Sequence, residues 1–342
     1  MANSEESRRH AVILSGGGAN GAYEIGVMRA LFGGDVGLVG VPVDERALDP
    51  SIFAGTSVGS FNAAFMASKR GQRSAETLGE LEEVWRNRIA STSARPNGVF
   101  RIRGNVFELL EPKRLLMNPT APLVHLLCDG AFFATKTIEE ADNFCRSKEA
   151  LAHRLADLVD ISDFVSTEPL RDLVRQTIDV AALLANDARA LFVATTNWDK
   201  GETDIFTNRQ PHDSTREKPL NDAIGHLAVL ASTAIPGIFP PVEIGRTKYV
   251  DGGLLMNTPL APAIRAGADV LHVVYLDPDL KDVPIEHGGG TLDMLNRFVD
   301  LTFASQVNRD FRNARTVNQM IEIKDRVGSG PSDEVLRRSH VV

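Results

Sequence analysis

Cysteine is scarce in this 342-residue chain, which contains only Cys128 and Cys145. Two cysteines can form neither a disulfide framework nor a four-cysteine zinc site. We therefore expect two reduced, partly buried thiols and no metal site.

Long apolar runs are also missing. The first ten residues are polar and carry charges of both signs, and no apolar segment typical of a secretory signal follows them. No stretch reaches the roughly 18 consecutive apolar residues of a membrane-spanning helix. We expect a cytoplasmic protein with no signal peptide and no transmembrane helix, and leave open a peripheral position at the inner membrane surface.

Positive charge is in the minority. Lys and Arg number 37 against 45 Asp and Glu, which gives a formal net charge of −8. Because a general nucleic-acid-binding protein needs a basic surface that displaces counterions, the balance argues against nucleic acid as a partner. The hydrophobic share of 43% is that of an ordinary globular protein and excludes wholesale disorder.

Short apolar segments alternate with helical ones. The pattern predicts strands at 10–15, 51–56, 190–196, 248–250 and 270–276, and helices at 21–32 and 58–69. This alternation indicates an α/β fold with a mostly parallel central sheet covered on both faces. Functional sites in such sheets lie at the carboxyl ends of the strands.

Residues 72–186 differ in character from this main domain, which we place at 10–280. Helical periodicity at 72–90, 137–159 and 170–184 predicts a mostly helical insertion, with an irregular stretch between the first two helices. Residues 1–9 are predicted to be a disordered tail. The segment 281–342 is predicted to contain a long amphipathic helix at 291–317 and to end in a polar tail, and the oligomeric state stays open.

The first chemical motif is a G-x-S-x-G sequence, with Ser57 between Gly55 and Gly59. It follows a predicted strand and precedes a predicted helix, which is the context of a nucleophile elbow. A serine at such a sharp turn has a strained backbone, its neighbours two positions away need to lack side chains, and its Oγ is expected to project into solvent. The alternative is an ordinary glycine-rich turn.

The second motif is a glycine-rich loop that contains Gly16, Gly17, Gly18 and Ala19 and ends at Gly21. Successive backbone N–H groups of such a loop can converge on an anion. One interpretation is an oxyanion hole for acyl transfer. The other is a dinucleotide site, since Gly16, Gly18 and Gly21 satisfy G-x-G-x-x-G. A serine elbow about 40 residues later favours the oxyanion hole, because a dinucleotide site does not need one.

The third motif is Asp251 followed by Gly252 and Gly253, directly after a predicted strand. A nucleophilic serine needs a base to accept its proton. None of the eight histidines stands in a motif context, so a serine–aspartate pair without histidine is the favoured arrangement. A positioned and partly dehydrated carboxylate can act as that base. The alternative for Asp251 is a turn or capping role.

These motifs together resemble the patatin-like phospholipase family. The glycine loop resembles the family's oxyanion loop, and Gly55–Gly59 resembles its nucleophile elbow. Residues 231–241 resemble the segment before the catalytic acid, Asp251–Gly253 resembles the acid motif, and Asn257-Thr258-Pro259 resembles the Asn-x-Pro that follows. The resemblance extends over residues 10–280, with the motifs in the family's order.

The resemblance implies a three-layer α/β/α fold and a Ser57–Asp251 dyad that cleaves the carboxylic ester bonds of lipids, as in a phospholipase A or lysophospholipase. It implies an acyl-enzyme intermediate, an oxyanion hole at Gly16–Ala19, a lipid or acyl-ester substrate and no cofactor. One departure is Asn20, which stands where the family usually carries Arg or Lys. It leaves open how the loop is anchored and whether an anionic phosphate is favoured there.

The stretch 99–133 mixes apolar side chains with Arg101, Arg103, Lys113 and Arg114. Such a mixture suits a lid or a surface for peripheral membrane contact, in which the arginines face anionic lipids. The alternative is that these apolar residues pack the insertion against the rest of the protein. Two further functions stay open, namely a dinucleotide-binding protein and a lipid-binding module of the same fold with little turnover.

Overall fold

A nine-stranded, mostly parallel sheet organises the part of the chain that the structure describes. The structure is a computed structural model and describes residues 8–33, 48–90, 98–103, 124–125, 127–135, 165–212, 215–276, 301 and 340–341. The predicted α/β fold, with a mostly parallel central sheet and flanking helices, is confirmed.

The regular elements are numbered here in chain order. The strands are β1 (His10–Leu14), β2 (Ile52–Thr56), β3 (Arg101–Ile102), β4 (Val165–Ser166), β5 (Ala190–Asn197), β6 (Glu202–Thr207), β7 (Glu217–Pro219), β8 (Val242–Ile244), β9 (Thr247–Asp251), β10 (Val270–Val274) and β11 (His340–Val341). The helices are α1 (Gly21–Gly33), α2 (Val58–Ser68), α3 (Ser74–Val84), α4 (Glu168–Thr177), α5 (Val180–Leu184), α6 (Gly225–Ser232) and α7 (Leu260–Arg265). Short 3₁₀ helices lie at Gly18–Asn20 and Gly252–Leu254, and a π-helical turn at Trp85–Ile89.

The main sheet runs in the order β11-β10-β1-β2-β5-β6-β7. Its first five strands are parallel, β6 is antiparallel to β5, and β7 is parallel to β6. The hairpin β8–β9 joins the same sheet through antiparallel pairing of β9 with β5. A small separate ladder pairs β3 with β4.

The central strands are buried on both faces, which explains why they are short uninterrupted apolar runs. Alternate residues of β1, β2 and β5, such as Ile13, Ala54 and Phe192, form one core cluster together with Ala263 of α7. The residues between them, such as Leu14 and Phe53, point to the opposite face and are also fully buried. Both faces of the sheet are therefore covered.

The described residues group into two compact units. Unit 1 consists of residues 1–85, 174–234 and 241–342, and unit 2 of residues 86–173 and 235–240. This division differs at both ends from the predicted 72–186 insertion, because α3 and residues 174–186 group with unit 1. The predicted helix at 170–184 is two helices, since Asp179 caps a new one at α5. The predicted helices at 137–159 and 291–317 lie outside the described residues, apart from Leu301.

Arginine side chains hold unit 2 together internally. Arg101 donates to both carboxylate oxygens of Asp129, at 2.6 and 2.7 Å, and is itself mostly buried. Arg103 donates to the Val165 carbonyl and lies 4.0 Å from the centre of the Phe132 ring. Both arginines therefore have partners within unit 2, and the expected contact with anionic lipids stays a prediction. A charge reversal at Arg101 would break a buried ion pair, so it would disturb the packing of unit 2 first.

Cys128 is exposed rather than partly buried, and Cys145 lies outside the described residues.

A buried polar cluster joins α1, α2 and the end of α3. The Asn62 amide donates to Glu24 Oε2 at 2.7 Å and to the Gly21 carbonyl at 3.2 Å, while its oxygen accepts from Trp85 Nε1 at 2.9 Å. Glu24 Oε1 makes no hydrogen bond to any described residue. Burial raises the pKa of the Glu24 carboxyl well above its usual value, so a neutral carboxyl is favoured there.

Glu24→Gln should remove a pH-dependent loss of stability. Between the ordinary glutamate pKa and the raised folded-state pKa, the unfolded chain loses the Glu24 proton while the folded chain retains it. The Glu24 contribution to the free energy of unfolding therefore falls as pH rises through this window, with a slope of up to about 1.4 kcal/mol per pH unit. Urea unfolding between pH 4.5 and 8 should show that Glu24→Gln gains stability relative to the original chain as pH rises. The control is Glu76→Gln, an exposed acid in the first turn of α3, which should not alter the pH dependence. Identical pH dependence in Glu24→Gln and the original chain would contradict the assignment.

Candidate functional site

Ser57 occupies the sharp turn between β2 and α2. Its backbone has φ 52° and ψ −126°, and no other described non-glycine residue has a positive φ. The turn is closed by its two glycines: a Cβ added at Gly55 would lie 2.3 Å from the Gly59 carbonyl oxygen, and one added at Gly59 would lie 2.4 Å from the Leu14 carbonyl oxygen. The motif therefore forms the strained strand-to-helix turn that its sequence predicts.

Ser57 is recessed rather than projecting into solvent. The residue as a whole is only 4% exposed, which leaves little of it in contact with solvent. The cause is close packing around the turn: α2 packs against the strands through Gly59, and the glycine loop after β1 lies beside the serine. An acyl group would have to reach the serine within a recess.

Asp251 ends β9 and is fully buried. Its backbone N–H donates to the Ala234 carbonyl at 2.8 Å, its carbonyl accepts from Thr196 Oγ1 at 2.9 Å, and its Oδ1 accepts from the Gly253 N–H at 2.8 Å. The next residue, Gly252, has no room for a side chain, because an added Cβ would lie 2.3 Å from the Ala194 carbonyl oxygen. The backbone of Asp251 is thus held at both its N–H and its carbonyl, and the Gly253 N–H orients its carboxylate.

The register on β5 brings Ser57 and Asp251 to the same region of the sheet. Thr56, the last residue of β2, pairs with Ala194, and Asp251 pairs with the next residue, Thr195. Because β6 occupies the other edge of β5 over the same residues, β9 continues along the edge that β2 leaves. Asp251 therefore lies about one residue, or about 3.3 Å, further along β5 than Thr56.

The glycine loop follows β1, the other neighbour of β2. A Cβ added at Gly16 would lie 3.0 Å from the Ser57 Cβ, so the loop is in contact with the serine. Gly18 has φ +55°, which turns the chain into the 3₁₀ helix before α1. Within the described part of the chain, the N–H groups of Gly17, Gly18 and Ala19 make no hydrogen bond. These three groups are therefore available to an anion beside Ser57.

Gly16 has a different part in the loop. Its N–H donates to Asn257 Oδ1 at 2.8 Å, so it is committed to the protein. Asn257 is fully buried and belongs to the Asn-x-Pro that follows the acid motif. It ties the loop after β1 to the segment after β9, and Thr56 Oγ1 reaches the same segment through the Met256 carbonyl at 3.0 Å. The sequence motif pointed to Asn257, but its contact with Gly16 was not predicted.

Several described histidines have contacts of their own away from these motifs. His10 and His272 are stacked, with 3.0 Å between Nδ1 and Nε2, and burial lowers the pKa of His272 to about 4. His226 Nε2 lies 2.9 Å from the Ile178 carbonyl. Among the described residues, no group of three or more His, Cys, Asp or Glu side chains could hold a metal ion, and no helix is both long and apolar enough to cross a membrane.

Two comparisons with known proteins give matches. The model of a family described as patatin-like phospholipase matches residues 12–264, a range that includes the glycine loop, Ser57 and Asp251. Among solved structures, the chain is similar to the crystal structure of VipD from Legionella pneumophila, with 14% identity and a TM-score of 0.35. That similarity covers 92% of this chain and 54% of the VipD chain, so this chain spans about half the length of that structure. A search of curated proteins finds no match.

Gly59→Ala should destabilise the fold, because the new Cβ would meet only backbone atoms of Leu14 and Ser15, which cannot move aside. Overpacking of this kind costs about 1–3 kcal/mol of the free energy of unfolding. The matched control is Gly79→Ala in α3, where a Cβ meets open space and should stabilise the helix by about 0.5–1 kcal/mol. Urea unfolding measures both variants. An equal stability of the two variants would show that α2 does not pack closely on β1 at Gly59.

Proposed function

The chain belongs to the patatin-like phospholipase family, and from this we propose that it is a serine acyl hydrolase that cleaves carboxylic ester bonds of lipids, of the phospholipase A or lysophospholipase type. The observation that carries the proposal is the exchange of partners on β5: Ala194 pairs with Thr56, the last residue of β2, and the next residue, Thr195, pairs with Asp251, the last residue of β9. This register supports a dyad in which Ser57 is the nucleophile and Asp251 the base.

In the first half of the reaction, Ser57 Oγ attacks the acyl carbonyl and its proton passes to the Asp251 carboxylate. Negative charge develops on the carbonyl oxygen, and the N–H groups of Gly17, Gly18 and Ala19 donate to it. Each such donor is worth about 3 kcal/mol, or on the order of 10²–10³ in kcat. Gly16 anchors the loop through its bond to Asn257.

In the second half, the tetrahedral intermediate collapses, and the alcohol leaves with the proton that Asp251 holds. The acyl group stays on Ser57 Oγ as an ester. Asp251 then accepts a proton from water, the resulting hydroxide attacks the acyl-enzyme, and the fatty acid leaves as Ser57 regains its proton. The burial of Asp251 favours this role, because a carboxylate removed from water is a stronger base than one in bulk solvent.

The loop beside the serine is uncharged at its exposed end. Gly18, Ala19 and Asn20 are exposed, and Asn20 supplies an amide rather than a cation. An ester without an anionic phosphate next to the scissile bond therefore meets no electrostatic disadvantage there. We therefore include neutral acyl esters among the proposed substrates. We also propose a cytoplasmic location and peripheral contact with a lipid surface.

A fluorophosphonate should label the purified protein at Ser57, since the reagent reacts with activated serines. Mapping the modified peptide by mass spectrometry should place the label on Ser57, and Ser57→Ala should abolish it. Asp251→Asn should lower the labelling rate and ester hydrolysis by about 10²–10⁴, because the amide cannot accept the proton. Asp222→Asn, at an exposed acid in the turn before α6, serves as the control and should retain the original rates.

Two outcomes would contradict the proposal. A label on a different serine would remove Ser57 as the nucleophile, and near-normal hydrolysis by a folded Asp251→Asn variant would remove Asp251 as the base. A rise in melting temperature with a dinucleotide, and no labelling, would favour the dinucleotide-binding function of the glycine loop.

A further inference from the structure

The backbone of Ser57 needs an external restraint. A non-glycine residue with its φ and ψ lies in a sparsely populated region that costs on the order of 1–3 kcal/mol, and it persists only where neighbours fix it. Its carbonyl is fixed within α2, since it accepts from the Ser60 N–H at 2.9 Å and from Ser60 Oγ at 2.6 Å. Its N–H points the other way, and its partner lies far along the chain.

That partner is Ser232, the last residue of α6. Ser232 Oγ accepts from the Ser57 N–H at 2.9 Å and donates to the Ala194 carbonyl at 2.6 Å. A hydroxyl has one proton and two lone pairs, so both bonds form at once. Ser232 is fully buried, and a hydrogen bond to water cannot replace either contact. The Ser57 backbone is therefore connected through one hydroxyl to β5.

The point of attachment on β5 lies between the two proposed catalytic residues. Ala194 pairs with Thr56, and the next residue, Thr195, pairs with Asp251. The same Ala194 carbonyl is the atom that leaves no space for a Cβ at Gly252, next to the acid. A displacement of the serine turn relative to β5 is thus a displacement relative to Asp251.

The segment that contains Ser232 also holds the acid directly. The Ala234 carbonyl, two residues after Ser232, accepts from the Asp251 N–H at 2.8 Å. The end of α6 therefore binds the backbone N–H of Ser57 through a side chain and the backbone N–H of Asp251 through a carbonyl. Only the first of these two bonds depends on a side chain, so it can be removed by mutation.

We propose that Ser232 is a positioning residue, whose hydroxyl sets the position of Ser57 relative to Asp251. This inference rests on the proposed function, because it assigns Ser232 a role in the reaction of that dyad. A misplacement of about 1 Å between reacting groups costs on the order of 10² in rate, whereas substrate binding is unaffected if the binding surface is unchanged. Loss of the hydroxyl should therefore lower kcat and leave KM nearly constant.

The test compares Ser232→Ala with Ser68→Ala. Ser68 is the matched control: it is equally buried, its hydroxyl donates to the Phe65 carbonyl, and it lies at the other end of α2, about 15 Å from the serine turn. With a soluble p-nitrophenyl acyl ester, Ser232→Ala should lose about 10- to 100-fold in kcat and in the fluorophosphonate labelling rate, with KM unchanged within about twofold. Ser68→Ala should retain the original kcat, even if both variants lose similar stability.

A second readout does not depend on catalysis. Amide hydrogen exchange of the peptide that contains Ser57 should be at least about tenfold faster in Ser232→Ala than in the original chain, since the buried N–H loses its acceptor. Ser68→Ala should leave that peptide's exchange unchanged. If Ser232→Ala does not fold, Ser232→Cys takes its place, because the thiol has a similar volume and is only a weak acceptor and donor.

The possible results separate the two claims. If the original chain is neither labelled nor active, the proposed function fails and the role of Ser232 in the reaction fails with it, while exchange still shows whether Ser232 holds the turn. If the original chain is active and a folded Ser232 variant has its original kcat, the positioning role is overturned and the proposed function stands. Equal losses in Ser232→Ala and Ser68→Ala would also overturn it, since a loss shared with Ser68 reflects stability alone.

Discussion

The partner exchange along one edge of β5 is the constraint on which the site depends. A strand has two edges, and β6 fills one of them over the whole second half of β5. On the other edge, Ala194 is the last residue paired with the parallel strand β2, and the next residue, Thr195, pairs with the last residue of the antiparallel strand β9. The carboxyl ends of β2 and β9 therefore meet on this edge. The chain that leaves β2 and the chain that ends β9 must then turn away from the same point. The serine turn and the acid turn both lie there, and the loop after β1 closes the third side, since β1 is the other neighbour of β2.

Each of these three segments is held by a residue from a distant part of the sequence. Asn257 holds Gly16, Ser232 holds Ser57, and Thr196 holds the carbonyl of Asp251. All three side chains are buried, so each replaces water as the partner of a backbone group and leaves that group unsatisfied if it is removed. The geometry of the site is therefore a property of the completed sheet and of the segment from α6 to α7. The short loops do not define it alone.

The sequence predicted the parts of this arrangement that have local causes. Uninterrupted apolar runs predicted β1, β2, β5 and β10. The glycines two positions before and after Ser57 predicted a tight turn, in which there is no space for a side chain at Gly55 or Gly59. Contacts between distant segments have no local signal, and this is why the bonds of Asn257 and Ser232 were not predicted. The antiparallel strand β6 was also not predicted, because its half-polar sequence lacks the apolar run of its neighbours. The low exposure of Ser57 as a whole was not predicted either, because exposure depends on what packs around a turn, which the turn's own sequence does not determine.

The position of β1 in the sheet has a consequence for synthesis on the ribosome. β1 leaves the exit tunnel long before its outer neighbour β10, which comes from residues 270–274, although its inner neighbour β2 follows it more closely. At about 5–20 residues per second, translation needs on the order of ten seconds or more to reach β10. Throughout this interval an apolar strand with one open edge is exposed on the nascent chain, and such an edge can pair with another chain. Chaperone binding during translation would therefore matter for β1, which immediately precedes the glycine loop.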